Sequence, residues 1–140
     1  MKMLAGLIVT AGLSLVCCAA SIAQETSKPA GQTLFGAWRG ESKCLVRPSA
    51  CNDEDSLYRF SAGGSPARVR LSANKIVGGK EINMGNSECR YEAASHGIDC
   101  PLPNGNSIHF DVGGTVILGK MTMRDGTLWR RINLHKIEEK

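Results

Sequence analysis

From Leu34 onward the chain alternates apolar and polar residues at every second position, and no stretch carries a helical period. Alternation of this kind marks strands with one buried face. In "GAWRGESKC", residues 36–44, Gly36, Trp38, Gly40, Ser42 and Cys44 share one face, while Arg39, Glu41 and Lys43 take the other. The charged set must face water, so Trp38 points inward with small residues on either side. The same reading turns Tyr58 and Phe60 inward from "SLYRF", and Ala67, Val69 and Leu71 inward from "ARVRL". Further along, Ser87, Cys89, Tyr91 and Ala93 share a face, as do Ile98, Cys100 and Leu102, and then Ile108, Phe110 and Val112. On the last segment Leu128, Arg130, Ile132 and Leu134 share the apolar side, with Trp129, Arg131, Asn133 and His135 opposite.

Turn signals separate these runs at Gly78-Gly79, Asn104-Gly105, Gly113-Gly114 and Asp125-Gly126. Glycine adopts the positive φ that tight hairpins need, and short links make successive strands antiparallel. The pattern predicts an all-β domain over residues 34–137, an eight-stranded antiparallel meander that becomes nine-stranded if Gly85-Asn86 is a true turn. Eight short strands with one apolar face close into an up-and-down barrel or fold into a β-sandwich. Tight hairpins without long crossovers favour the barrel, and the sandwich is the alternative.

The N-terminus reads differently. Lys2 precedes an uncharged run from Leu4 to Val16, and Ser21-Ile22-Ala23 supplies a small-x-small cleavage signal. Residues 1–23 are expected to be a signal peptide, too short in its apolar part to span a membrane. No later segment is apolar for long enough to span either. Lipid attachment at Cys17 or Cys18 is the rival reading of this segment. Residues 24–33, "QETSKPAGQT", are polar and aperiodic and read as a flexible leader. The protein is therefore expected to be exported, to a periplasm or the medium.

Removing Lys2 from 17 basic residues leaves 16 against 13 acidic ones, a net charge of +3. Those bases are spread along the chain and the aromatics are few, which argues against nucleic-acid binding. Four cysteines remain after the signal: Cys44, Cys51, Cys89 and Cys100. An even number in a small exported domain reads as two disulfides, and counting alone allows three pairings. The predicted pairs are Cys44–Cys51, within one loop, and Cys89–Cys100. The second follows from a hairpin centred between Ala94 and Ser95, which sets those two cysteines opposite each other on the same face.

In a closed meander the first and last strands are neighbours, so inward Trp38 and inward Arg130 are expected to stack and close the barrel. Gly36-Ala37-Trp38 near the start, paired with an inward arginine near the end, resembles the lipocalin-like (calycin) barrels. The likeness covers most of residues 35–136 and extends to a group of small exported bacterial proteins of that type. It implies a barrel whose interior can hold a ligand. The chain is shorter than a typical lipocalin, lacks a C-terminal helix signal, and adds a cysteine loop after its first strand.

No catalytic apparatus is visible, and an enzyme is not expected. His96 falls in a turn, while His109 and His135 lie on outward faces, and no nucleophile motif accompanies them. "NDED", residues 52–55, reads as a solvated acidic loop rather than a calcium site, and Met84, Met121 and Met123 as core filling rather than a copper site. No metal or cofactor is expected. The predicted function is binding of a small apolar ligand inside the barrel by a monomer. The predicted cavity lies beside Trp38, with Tyr58, Phe60, Tyr91 and Phe110 around it, and a filled core is the alternative to it. The other function considered is a protein-binding module, such as an inhibitor of an exported enzyme acting through its leader or loops. Leader followed by Gly-x-Trp is similar to small β-barrel inhibitors of bacterial metalloproteases, which insert their N-terminus into the protease cleft.

Overall fold

A computed structural model describes residues 34–139; the proposed signal peptide, Cys17 and Cys18, and the leader lie outside the described residues. Eight strands follow one another: β1 (Gly36–Cys44), β2 (Glu54–Ala62), β3 (Arg68–Val77), β4 (Lys80–Glu92), β5 (Gly97–Pro101), β6 (Ser107–Gly113), β7 (Val116–Thr122) and β8 (Leu128–Ile137). Each pairs antiparallel with the next, and β8 returns to pair with β1, so the sheet closes into a barrel in chain order. The sandwich is excluded. Gly85 continues β4 with φ +145 rather than turning it, which makes eight strands and not nine.

Alternation sorts the side chains as it must when one face is buried. Trp38, Phe60, Leu71, Ile98, Phe110 and Leu134 are almost wholly buried in one core that fills the barrel from the Leu34 end. Phe110 sits at its centre, edge-on to Phe60 at 5.5 Å and to Tyr58 at 6.1 Å between ring centroids. Arg130 points inward from β8 and is buried. The disulfides are Cys44–Cys51 and Cys89–Cys100. The second bridges β4 and β5, whose register of Arg90 with Asp99 and Glu92 with Gly97 sets the two cysteines face to face.

The small neighbours of Trp38 serve the backbone more than the indole. A Cβ at Gly40 would stand 1.9 Å from the Asn133 carbonyl oxygen of β8, so only glycine lets the two closing strands meet there. Trp38 lies in the packed core, away from the cavity described below. Its indole N–H donates to the Leu34 carbonyl at 2.8 Å, and Leu34 is itself buried, sealing this end. The ammonium of Lys136 covers the ring at 4.7 Å and donates to the Leu34 carbonyl at 3.3 Å and to that of Phe35.

The expected stacking of Trp38 on Arg130 is therefore corrected. The closing register sets Trp38 opposite Lys136 and Cys44 opposite Arg130. Six residues at roughly 3.3 Å each put the tryptophan and the arginine about 20 Å apart along the seam. The cation over Trp38 is Lys136, and the ring under Arg130 is Trp129, at 5.4 Å.

Two irregularities interrupt the ladders. Ala73 pairs with Gly85 and Asn74 with Asn83, leaving Met84 as an extra residue of β4. Met121 pairs with Arg130 and Thr122 with Leu128, leaving Trp129 as an extra residue of β8. Such bulges re-aim the side chain they carry. Both lie toward the end of the barrel opposite Leu34.

Candidate functional site: a cavity at the open end

The end opposite Leu34 is formed by the last residues of β1, β3, β5 and β7 and the first of β2, β4, β6 and β8. Here the inward positions change character. Ser42 on β1 faces Glu54 on β2, with buried Ser56 and Tyr58 below, and Arg130 enters from β8. Above the packed aromatics this leaves a cavity of about 500 Å³ that opens at the mouth. Tyr58, Ser42, Glu54 and Arg130 make its polar side, and Leu71, Ala73, Ile108, Leu102 and Met121 its apolar walls. The two bulge residues, Met84 and Trp129, stand on the same lining.

Arg130 is held by the strands around it. Its NH1 donates to the carbonyl and hydroxyl oxygens of Ser42 at 3.3 and 3.2 Å, and its NH2 to the Asn52 carbonyl at 2.9 Å. Glu54 Oε2 lies 3.5 Å from NH1, completing a buried ion pair. Taking an arginine out of water is costly unless it is paired and hydrogen-bonded, and Arg130 is both. Burial, and then the nearby Glu54 carboxylate, push the Tyr58 hydroxyl up to about 12, although the Ser56 hydroxyl and Arg130 work the other way. Tyr58 therefore remains a protonated hydroxyl at any ordinary pH.

A second, more open cleft of about 730 Å³ lies alongside, between the Cys44–Cys51 loop and the β3–β4 hairpin tip. Val46, Asp53, Ile76, Val77 and Met123 line it, and it shares Glu54, Trp129 and Arg130 with the inner cavity. The loop is anchored by Asp53, which accepts from the Cys44 amide at 2.8 Å and from Arg47 at 3.0 Å. Asp55 instead pairs with Arg39 at 2.7 Å. The three carboxylates of "NDED" thus pair with different basic residues.

Of the five residues expected to surround a cavity, only Tyr58 lines this one. Trp38, Phe60 and Phe110 are core, and half-buried Tyr91 packs against them, because the interior is filled from the Leu34 end and open at the other. Sequence reasoning missed Glu54, Ser42 and Trp129 as lining residues. Glu54 and Ser42 did carry a signal, since both fall on the inward parity of their strands; Trp129 did not, because a bulge moved it.

The three histidines lie on the surface. His109 Nδ1 stands 2.6 Å from Asp99 Oδ1, and its Nε2 3.3 Å from Asp111. The hydrogen bond to Asp99 raises the imidazole above its ordinary value and lowers the carboxylate below its own. Among the described residues no helix is long and apolar enough to cross a membrane. The two disulfides are consistent with an exported protein. No protein-family model matches the chain, and no curated protein matches its sequence.

Proposed function

We propose that this is an exported, lipocalin-like binding protein that takes a small, largely apolar ligand into the open end of its barrel. One observation carries the reading: the inner cavity. Its volume of about 500 Å³ falls within the range of small-molecule sites, and its make-up, apolar walls with a few convergent polar groups, is that of a ligand pocket. An eight-stranded barrel is also the size at which side chains can fill one part of the interior and leave room for one small ligand in another.

Trp129 supplies the assay, since it lines the cavity while Trp38 is buried at the other end. Titration with a panel of single-chain amphiphiles and small aromatic compounds should give a saturable change in tryptophan emission. Trp129→Phe should abolish that signal while calorimetry still records binding. No saturable response by either method across the panel would defeat the reading.

A second reading, protein binding at the same mouth, has its own support. Leu45, Val77, Ile82 and Met84 are exposed apolar residues on the disulfide loop and the β3–β4 hairpin. Native mass spectrometry of the protein from its source separates the two, by the mass of a small ligand or of a second polypeptide.

A further inference from the structure

We infer that the inner cavity selects amphiphiles with an uncharged polar head, such as an alcohol or a primary amide, over fatty-acid anions and alkylammonium cations; this rests on the ligand-binding reading above. The inference begins with charge. Arg130 and Glu54 are the two charged groups on the cavity lining, and they are paired with each other at 3.5 Å. Their side chains are only 8% and 18% exposed, so neither is screened as a surface charge would be. The polar groups toward the rim, Asn86, Asn104, Asn106 and Ser87, are neutral. Lys75 approaches Glu54 at 3.9 Å, but from the outer cleft.

A carboxylate brought to Arg130 also meets Glu54, 3.5 Å away, and an ammonium brought to Glu54 meets Arg130. Attraction and repulsion nearly cancel in either case, and the cost of stripping water from the ligand's charge remains. An uncharged head avoids that cost. It can donate to the Glu54 carboxylate and accept from the Tyr58 hydroxyl, while its chain lies along Leu71, Ile108 and Met121. Arg130 needs no charge from a ligand, since Ser42, Asn52 and Glu54 already hold it. The apolar walls alone would accept any of these chains, so discrimination falls on the head.

The test uses four probes with the same tail: 1-octanol, octanamide, octanoate and octylammonium, titrated at neutral pH against the whole protein. Octanol and octanamide should bind about tenfold or more tighter than either ion. Glu54→Gln leaves Arg130 without its counter-charge and should raise octanoate affinity about tenfold. Octanoate or octylammonium as the tightest ligand of the unaltered protein would overturn the inference while leaving ligand binding intact. An octanoate affinity unmoved by Glu54→Gln, in a variant that keeps the native circular dichroism, would also overturn it. Should Glu54→Gln not fold, the ranking of the four probes on the unaltered protein decides alone. Binding of none of the four would remove the ligand reading itself, and this inference with it.

Discussion

Gly40→Ala should open the barrel at its closing seam. The added Cβ would stand 1.9 Å from the Asn133 oxygen, 2.9 Å from its carbonyl carbon and 3.0 Å from Leu134 Cα, all of them backbone atoms. Real contacts of this kind lie beyond 3.0 Å, so the two strands must part by more than 1 Å at this point. No side chain can rotate away to relieve it. Separation by that distance breaks or weakens the ladder bonds around Gly40 and Leu134. Two such bonds at about 1 kcal/mol each, with about 1–3 kcal/mol for overpacking, give a loss of about 3–5 kcal/mol. Small domains have only about 5–15 kcal/mol in all, so the loss is a large fraction of the whole. Urea unfolding followed by circular dichroism measures it. Gly78→Ala is the control, at a hairpin tip with φ +56 and nothing within 4 Å of the added carbon. That substitution should cost only the local backbone strain of about 1–2 kcal/mol. A Gly40→Ala protein less than about 1 kcal/mol from the native one, or no worse than Gly78→Ala, would refute the account of how the barrel closes.

Replacing Cys44 and Cys51 by serine should cost about 2.5 kcal/mol by loop-closure entropy, and replacing Cys89 and Cys100 about 2.8 kcal/mol; chemical denaturation of the two double variants measures both. His109→Asn should cost about 0.2–1 kcal/mol, as befits an exposed pair, and by an amount that depends on pH. Because Asp99 raises the His109 value, that contribution is complete below the unfolded imidazole value near 6.5 and disappears as pH rises through the higher folded one. Asp99 is lowered, so its share is lost only as pH falls through its own folded value, beneath the ordinary 3.8. The stability difference should therefore be larger near pH 5 than near pH 9, and a flat difference would reject the pair. In Tyr91→Phe, the remaining tyrosine should ionise at about 12 by ultraviolet absorbance, and a midpoint near 10 would put the Tyr58 hydroxyl in water.

Much of this fold is legible from alternation alone. Parity decided the inward faces of Trp38, Phe60, Phe110 and Arg130, and the glycine turns set the order in which strands meet. The pairing of Cys89 with Cys100 followed from the centre of one hairpin. What sequence could not supply was register between strands that no turn connects. β1 and β8 meet only when the barrel closes, so nothing local says that Trp38 faces Lys136 rather than Arg130. Bulges are hidden for a similar reason. One extra residue in a ladder leaves the composition unchanged, yet it carries Met84 and Trp129 to the cavity. Where the interior is full and where it is open depends on how these registers add up around the barrel, which no single strand encodes.

Because β1 and β8 lie side by side, Ala37 faces Ile137 at the sealed pole, and the barrel's chain enters and leaves from one place. The mouth with its cavity is at the other pole, where β1 ends. A reporter joined directly before Leu34 or after Glu139 is held on the side remote from the mouth. A short linker across that pole, with a cut at the exposed Gly78-Gly79 tip, would yield a circular permutant with every strand pairing retained and its new ends beside the mouth.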